Sequence, residues 1–404
     1  MTEKHDVVIV GAGQAGLGLS HELTQAGREH LVLERGRVAE SWRGRWHSFC
    51  LVLPNWSVRL PGLPYAGPDP DGFMRRDEIV DYIGSYATSF DAPVCEGVEV
   101  CSVEACGEGF LLRTSRGPIA AREVVLASGG YREAKLPPTT RQLADAGLEI
   151  VMAGDYRNPA ALRPGRVLVV GSGQSGCQIA EELREAHRDV WMACGRAPWQ
   201  PRRAGGRDLF AWIVGTRVVQ QTVADLPHPS ARMAPHPQMT GRDGGRDLHY
   251  RTLQAAGVVL AGHLAGVEDG RVHFAPDLAD SVAFGDARYA ETRQLLRQHA
   301  AQTGTPPPDL PAPEPFLADP PTSARAADFG VAIVAAGYRP AYQDLAAFPH
   351  AFDELGFPVQ VDGSSTRVPG LHFMGVPFQR KRFSASLWGV EADAQVLAER
   401  LARP

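Results

Sequence analysis

The sequence predicts an α/β fold with two similar strand–loop–helix units, the second of them inserted into an interrupted first domain. The pattern "VVIVGAGQAGLGLSHEL" starts at Val7, and "VLVVGSGQSGCQIAEEL" starts at Val167. Six of the thirteen residues in Gly11–Leu23 are identical in Gly171–Leu183. Each glycine loop follows a run of β-branched residues and precedes an amphipathic stretch. Two copies indicate two domains, since a repeat array needs three or more units.

Each unit is typical of a β-α-β element. In the first unit, "DVVIV" and "HLVLERG" predict buried strands, and "LGLSHELTQAG" between them predicts a helix that ends at Gly27. In the second unit, "RVLVV", "CQIAEELREAH" and "DVWMACGR" predict the same order of elements. Between the units, "MRRDEIVDYIGSYATSF" predicts a helix, and "GVEVCSVEA", "FLLRTS" and "EVVLASGG" predict strands.

A proline-dense stretch, "TPPPDLPAPEPFLADPP", marks the end of the second unit. Such a stretch favours an extended connector. Just after it, "DFGVAIVAAGYRP" predicts another strand, which we assign to the returning first domain. The expected domains are therefore 1–159 and 325–404 for the split first domain and 160–324 for the inserted one.

Composition excludes several classes of protein. The formal net charge of −5 argues against a dedicated nucleic-acid binder. No apolar run has the length of a membrane span, and "MTEKHD" lacks the pattern of a signal peptide, so we expect a cytoplasmic protein. The six cysteines contain no C-x-x-C pair, so neither a redox dithiol nor a zinc ribbon is predicted.

The two glycine loops predict two Rossmann-like dinucleotide-binding sites. In a G-x-G-x-x-G loop the first glycine permits a tight turn, the second admits a pyrophosphate, and the third allows helix and strand to pack closely. The helix N-terminus then offers N–H groups to the phosphates. The expected binding residues are Gly11, Gly13, Gln14, Ala15 and Gly16 in the first loop and Gly171, Ser172, Gly173, Gln174, Ser175 and Gly176 in the second.

Charges at the tips of the following strands distinguish the two ligands. Glu34 lies eighteen residues after Gly16, where a carboxylate accepts both ribose hydroxyls and repels a 2′-phosphate. The first site is therefore expected to hold FAD, with NAD as the alternative. Arg196 stands at the matching place of the second unit, and a guanidinium suits the 2′-phosphate of NADPH. Arg202 and Arg203 follow and fit either the same role or solvated surface charges.

Several longer segments identify a resemblance. Together with both loops, four segments resemble the bacterial single-component flavin-containing monooxygenases. They are "CGRAPWQPRR", "AGYRP", "SWRGRWHSFCLVLPNWSVRLPG" and "GLHFMGVPFQRKRFSASLWGVEADA". The likeness spans nearly the whole chain and implies an α/β fold in which an NADPH domain is inserted into a split FAD domain. One position departs from the family pattern: Met152 in "VMAGDYRNP" occupies the place of a histidine.

The resemblance implies further contacts with FAD. Glu34 and Arg35 would hold the adenosine, and Trp42 and Arg43 would lie along the pyrophosphate or the flavin edge. Among the remaining segments, 375–388 would close over the isoalloxazine. The other implied cofactor-binding residues are Val100, Gly129 and Gly375, and the implied catalytic residue is Asn55, whose alternative role is that of a turn residue after Pro54.

The implied activity is oxygenation of a small organic substrate with NADPH and O₂, through a C4a-hydroperoxyflavin. Oxygenation at nitrogen, at sulfur or of a ketone remains open. Two alternatives are an NADPH oxidase or flavin reductase without organic oxygenation, and a non-catalytic protein that senses FAD and NADPH. No metal site is expected, because the spacing of His228, His236, His249 and His263 is irregular.

Two apolar stretches remain. "DLFAWIVGTRVVQQTVADLP" predicts either an ordinary core helix or the lining of a substrate passage between the domains, with Trp212 as its test residue. "DARYAETRQLLRQHAAQTG" predicts an amphipathic helix, and its outer face is a candidate interface for a homodimer.

Overall fold

The structure is a computed structural model that describes residues 3–130 and 133–402. Three pairs of residues lie outside the described part: 1–2, 131–132 and 403–404. The first and last pairs are the ends of the expected split domain. The strands of the two main sheets are, in chain order, β1 (Glu3–Val10), β2 (His30–Glu34), β3 (Val94–Glu96), β4 (Val100–Cys106), β5 (Gly109–Thr114), β6 (Gly117–Leu126), β7 (Glu149–Met152), β8 (Arg166–Val170), β9 (Val190–Ala193), β10 (Val259–Ala261), β11 (Phe329–Val334), β12 (Gln360–Val361), β13 (Ser364–Ser365) and β14 (Leu371–Phe373).

The helices lie against these sheets. They are α1 (Gln14–Gln25), α2 (Glu40–Arg43), α3 (Arg76–Ser89), α4 (Thr139–Asp145), α5 (Gln174–Glu185), α6 (Leu209–Ile213), α7 (Tyr250–Ala255), α8 (Leu278–Thr303) and α9 (Val390–Leu401). Short strands add the pairs Arg59–Leu60 with Leu63–Pro64, Glu133–Ala134 with Tyr338–Arg339, and Arg203–Ala204 with Arg207–Asp208, and a three-stranded sheet of Leu264–Glu268, Arg271–Phe274 and Ser323–Arg325.

The first sheet has the order β12-β13-β14-β6-β1-β2-β3, and the antiparallel ribbon β4–β5 joins it through β6. Its central strands run parallel, with Val10 opposite both Leu33 and Leu126. Parallel strands covered on both faces are apolar without interruption, which is why "VVIV" is buried along its length. The carboxyl ends of β14, β6, β1 and β2 therefore meet at one edge, beside the N-terminus of α1.

The second sheet has the order β7-β11-β8-β9-β10, and all its pairs are parallel. It repeats the local arrangement of the first sheet, because β8, α5 and β9 correspond to β1, α1 and β2. The pairing also places β7 and β11 in this sheet, whereas the expected boundaries assign 149–152 and 329–334 to the first domain. The expected domain limits stay a prediction, and the sheet pairing favours a second unit that runs from β7 to β11.

Of the elements predicted outside the two glycine-loop units, some are confirmed and others differ in the structure. Helix α3 confirms the helix predicted for "MRRDEIVDYIGSYATSF", and the proline-dense residues 305–321 contain neither helix nor strand. Helix α8 is longer than expected, starting at Leu278 instead of near Asp286. The apolar stretch 208–227 is not one helix, because α6 ends at Ile213 and two 3-10 turns follow. Its apolar residues therefore do not line one face of a single helix.

Two glycines of α1 offer a matched test of the close contact between strand and helix. A Cβ at Gly16 would lie 1.9 Å from the Gly11 carbonyl oxygen, whereas a Cβ at Gly18 would meet its nearest atom, Pro61 Cδ, at 3.5 Å. We expect Gly16→Ala to force α1 away from β1 and to destabilise the protein by about 3 kcal/mol or more.

Gly18→Ala should instead stabilise the protein by about 0.5–1 kcal/mol, because alanine loses less entropy in a helix. Urea denaturation followed by tryptophan fluorescence measures both changes. Similar stabilities of the two variants would contradict the role given to Gly16.

Candidate functional site

The first glycine loop, residues 11–16, leaves an open site at the N-terminus of α1, which we call the first cradle; the corresponding site at residues 171–176 is the second cradle. Gly11 has a φ of +113°, and a Cβ there would lie 2.6 Å from the Ala127 carbonyl oxygen, so the turn requires glycine. Gly13 caps α1, and a Cβ on it would meet no atom of the described residues within 4 Å. The helix N-terminus from Gln14 onward is thus accessible to an anionic ligand.

Glu34 lies beside this cradle at the end of β2, and it is 8% exposed. One carboxylate oxygen accepts a hydrogen bond from the Ala12 amide at 2.8 Å, and the other accepts one from the Gly36 amide at 2.9 Å. The carboxylate therefore joins the glycine loop to the turn after β2. Each carboxylate oxygen can accept a second hydrogen bond, which leaves capacity for ribose hydroxyls. Arg35, the next residue, is exposed.

Gln14 connects the cradle to two other segments. Its side-chain amide donates to the Ala385 carbonyl oxygen at 3.3 Å, and its side-chain oxygen accepts from the Trp42 indole N–H at 3.0 Å. Arg43 donates from Nε to the Val38 carbonyl oxygen at 3.0 Å, which fixes the turn before α2. Trp42 and Arg43 are both half-buried, and the contacts with FAD that the resemblance implies for them stay a prediction.

The other residues expected around FAD lie at the same edge of the first sheet with different exposures. Gly375 has a φ of +75°, and a Cβ on it would lie 2.6 Å from Ala15 Cβ, so the segment 375–388 begins against α1. Gly129 follows β6, has a φ of +85° and is exposed. Val100 begins β4, and its side chain is buried in the core, so its backbone is the part available to a ligand.

Asn55 uses its side chain to hold a loop. It is 4% exposed, its Nδ2 donates to the Asp69 carbonyl oxygen at 2.9 Å, and its Oδ1 accepts from the Met74 amide at 2.6 Å. It also starts a 3-10 turn directly after Pro54. These contacts favour the turn role over the catalytic role, because the amide group is already engaged with the backbone.

The second glycine loop repeats the first closely. Gly171 has a φ of +102°, and a Cβ on it would lie 2.6 Å from the Ala335 carbonyl oxygen. The space around Gly173 is open to 4 Å among the described residues, and a Cβ at Gly176 would lie 2.1 Å from the Gly171 carbonyl oxygen. Ser175 is half-buried in the first turn of α5. Both loops thus present the same backbone cradle.

The sequence analysis did not identify the side chains that brace this second loop. The fully buried Gln238 donates to the Ser172 carbonyl oxygen at 2.8 Å, and Gln174 donates to the Pro237 carbonyl oxygen at 2.9 Å. The Tyr250 hydroxyl lies 2.5 Å from the Ser172 hydroxyl, and burial raises the pKa of Tyr250 well above its ordinary value. Gln238 comes from an irregular segment and Tyr250 from the first position of the short helix α7, so no periodicity in the sequence indicated their contacts with the loop.

Arg196 and Arg203 are exposed, and their contacts differ. Within the described part of the chain, Arg196 has no hydrogen-bond or ion-pair partner, and it lies just past the tip of β9. Arg203 donates from Nη2 to the Gly244 carbonyl oxygen at 3.0 Å. Arg196 is therefore the guanidinium available next to the second cradle.

Arg202 needs a correction, because the structure buries it to 1% exposure and pairs it with the equally buried Asp208. Nη1 also donates to the Val52 carbonyl oxygen at 2.9 Å, and the guanidinium lies 4.6 Å from the centre of the Phe73 ring. Burial lowers the pKa of Arg202, and the Asp208 carboxylate opposes that shift. Arg202 is thus neither a phosphate ligand nor a solvated charge; it joins the inserted unit to residues 52–73.

Aromatic rings form a second contact at this junction. Phe210 of α6 stacks on Trp56 with ring centres 5.6 Å apart, and it meets the edges of Phe383 and Trp388 at 5.4 and 5.5 Å. Trp212, which the sequence analysis selected for a substrate passage, lies elsewhere: its indole donates to the Ala204 carbonyl oxygen at 3.0 Å within the inserted unit. Phe210, rather than Trp212, faces the residues of the first domain.

The cysteines and histidines do not form a reactive cluster in the described residues. All six cysteines lie within those residues and are free, and burial raises the pKa of both Cys177 and Cys194. A search of the described residues found no group of three metal-ligating side chains. In the same residues, no helix is both long enough and apolar enough to span a membrane.

Comparisons with known proteins identify relatives for this arrangement. Residues 8–214, about half of the chain, match the family model described as pyridine nucleotide-disulphide oxidoreductase. An uncharacterized CzcO-like oxidoreductase of Geobacillus kaustophilus is 29% identical over 394 residues, which are 97% of this chain and 97% of that protein.

Solved structures match the fold over the whole chain. A flavin-containing monooxygenase from Stenotrophomonas maltophilia is 20% identical with a TM-score of 0.68, covering 99% of this chain and 98% of that chain. An ornithine N-hydroxylase of Kutzneria, solved with reduced FAD, NADP⁺ and L-ornithine, is 16% identical with a TM-score of 0.64 and covers 99% of each chain. The expected α/β fold with two Rossmann-like domains, one inserted into the other, is confirmed.

The buried ion pair generates a prediction about stability. Arg202→Met leaves the Asp208 carboxylate buried without a cation, so we expect the free energy of unfolding to fall by about 3–5 kcal/mol. Adding Asp208→Asn removes that charge and keeps a side chain able to cap α6, so the double variant should recover at least half of the loss.

The adjacent, exposed Arg203 provides the control. Arg203→Met should change the free energy of unfolding by less than about 0.5 kcal/mol. Urea denaturation measures all three variants, and equal losses for Arg202→Met and Arg203→Met would refute the junction role of Arg202.

Proposed function

This chain belongs to the pyridine nucleotide-disulphide oxidoreductase family, and on that premise we propose that the enzyme is an FAD-containing, NADPH-dependent monooxygenase that oxygenates a small organic substrate. The single observation that carries the proposal is the pair of matched cradles with opposite charges at their strand tips. Glu34 is buried beside the first cradle, and Arg196 is exposed beside the second. One protein thereby selects two different dinucleotides.

The first cradle fits the ADP half of FAD. Gly13 is open, so a pyrophosphate can approach the backbone, and the N-terminus of α1 supplies N–H groups and a positive dipole end. Glu34 is fixed by two backbone amides at the end of β2, in position to accept ribose hydroxyls. The carboxylate would repel a phosphorylated ribose, which favours FAD over NADPH in this site.

The second cradle fits NADPH. Gly173 is open in the same way as Gly13, and α5 begins directly after it. No acidic residue follows β9; the sequence there is "CGR", and Arg196 lies free in solvent. A guanidinium with no partner in the described protein can bind a 2′-phosphate without first breaking an ion pair.

Apolar side chains of the segment 375–388 and of the inserted unit pack together near the first cradle. Gln14 holds the segment 375–388 through the Ala385 carbonyl oxygen, and Phe383 and Trp388 of that segment pack on Phe210 of the inserted unit. When bound, the flavin accepts a hydride from NADPH and activates O₂. The apolar packing keeps that chemistry from bulk water, which would otherwise compete with the organic substrate.

The relatives support the class of reaction and leave the substrate open. The Stenotrophomonas protein is named a flavin-containing monooxygenase, and the Kutzneria protein is named an N-hydroxylase. For this chain, oxygenation at nitrogen, at sulfur or of a ketone are all compatible with the two cradles. Asn55 would then act by holding the loop between Asp69 and Met74 beside the flavin, rather than by contacting the reacting atoms.

A spectroscopic experiment tests this proposal. The purified protein should be yellow, should bleach when NADPH is added without oxygen, and should recolour in air. With a suitable amine, sulfide or ketone panel, mass spectrometry should detect a product that carries one oxygen atom from ¹⁸O₂. Hydrogen peroxide alone across the panel would favour an NADPH oxidase, and a flavin that never bleaches would favour a sensing protein.

Coenzyme preference gives a second test. Arg196→Ala should raise the KM for NADPH by about ten- to a hundredfold, because one charge-assisted hydrogen-bond partner of the 2′-phosphate is lost. The KM for NADH should stay within about twofold, since NADH has no phosphate there. Arg203→Ala is the matched control and should affect both coenzymes little. A parallel loss with NADPH and NADH would contradict the assignment of Arg196.

A further inference from the structure

A histidine stands beside the tip of β9, next to the proposed 2′-phosphate site. Strands β9 and β10 are parallel neighbours, with Ala193 opposite Ala261. Gly195 and His263 each lie two residues past this pair, beyond the ends of the strands. Because carboxyl ends of parallel strands meet at one edge, His263 shares that edge with Gly195 and Arg196.

The imidazole ring approaches Gly195 with its Nε2 edge. A Cβ placed on Gly195 would lie 3.2 Å from His263 Nε2, closer than from any other atom of the ring. Gly195 itself is fixed, because its amide donates to the Ser172 hydroxyl at 2.8 Å and its carbonyl oxygen accepts from Tyr250 at 2.5 Å. Nε2 is therefore held over a rigid backbone position that adjoins Arg196.

Asp277 fixes the other side of the ring. Its Oδ2 lies 2.7 Å from His263 Nδ1, and its Oδ1 accepts from the His263 amide at 2.9 Å. The His263 carbonyl oxygen also accepts from the Ala275 amide at 2.8 Å. The side chain of His263 is nevertheless 50% exposed. The ring is thus oriented by a carboxylate, and half of the side-chain surface remains open to solvent.

From this arrangement we propose that His263 is a second specificity-determining residue, which binds the 2′-phosphate of NADPH together with Arg196. The proposal rests on the NADPH site proposed above. In the bound state Asp277 accepts a hydrogen bond from Nδ1, and Nε2 donates one to a phosphate oxygen. The carboxylate orients the ring for that contact, in the same way that second partners orient functional histidines elsewhere.

A purely structural role for His263 makes different predictions. The contact of His263 with Asp277 also connects the end of β10 to the start of α8. If this connection were the whole role of His263, removal of the ring would loosen the connection and do nothing else. Loosening would weaken the binding of phosphorylated and unphosphorylated ligands alike. If His263 binds the 2′-phosphate, removal of the ring would instead weaken only the phosphorylated ligands. Another cation at position 263 would then restore their affinity.

The experiment therefore measures binding without turnover. Isothermal titration calorimetry compares 2′,5′-ADP with 5′-AMP on the flavin-loaded wild type and on His263→Ala, His263→Lys and the control His228→Ala, which removes an exposed histidine at the start of a 3-10 turn. Thermal unfolding of each variant verifies that the fold is retained. The two probes differ by one phosphate, so the ratio of their Kd values isolates its recognition.

We expect His263→Ala to weaken 2′,5′-ADP about tenfold and to change 5′-AMP less than about twofold. His263→Lys should recover most of the loss, and His228→Ala should match the wild type. Equal weakening of both probes, no change in either, or failure of lysine to restore the ratio would overturn the proposal. The absence of an oxygenated product would count against the monooxygenase and would leave these binding results unaffected.

Discussion

In both units the first turn of the helix lies in direct backbone contact with the glycine turn after the strand, and the two binding cradles depend on that contact. A methyl group at Gly16 would lie 1.9 Å from the Gly11 carbonyl oxygen, and one at Gly176 would lie 2.1 Å from the Gly171 carbonyl oxygen. The close approach brings each helix N-terminus to the tip of its strand. Free N–H groups then point out of the sheet edge where a pyrophosphate can reach them.

Given two equal cradles, selectivity depends on what stands at the neighbouring strand tips. Glu34 is buried and held by two amides, so its charge is fixed in place and its remaining acceptor capacity is directed to a ribose. Arg196 is exposed and, among the described residues, unpaired, so it can adapt to a phosphate. In the proposed function the same fold would bind two dinucleotides whose adenosines differ by one phosphate, because one tip is acidic and rigid and the other is basic and accessible.

The junction between the units fixes how the two sites face each other. Arg202 links the inserted unit to Val52 and Phe73, and Phe210 packs on Trp56 and on rings of the segment 375–388. The first link contains a buried charge that would be costly to leave unpaired, and the second buries an aromatic ring that would be costly to expose. A nicotinamide must lie close to a flavin for hydride transfer, and this packing provides the rigidity that such a distance requires.

The sequence by itself determined the two units, the glycine positions and the charges at the strand tips, because each depends on local backbone geometry within about thirty residues. Arg202 shows the limit of such local reasoning. Its neighbours in the chain suggested a phosphate ligand, whereas its contacts in space with Asp208 and Phe73 make it a buried residue that joins two parts of the protein. Gln238, Tyr250 and His263 were equally out of reach. Gln238 and Tyr250 contact Ser172 of the second loop, and His263 lies against Gly195. All three come from segments more than sixty residues away from the second loop, and only the packing of the chain decides which distant segments meet.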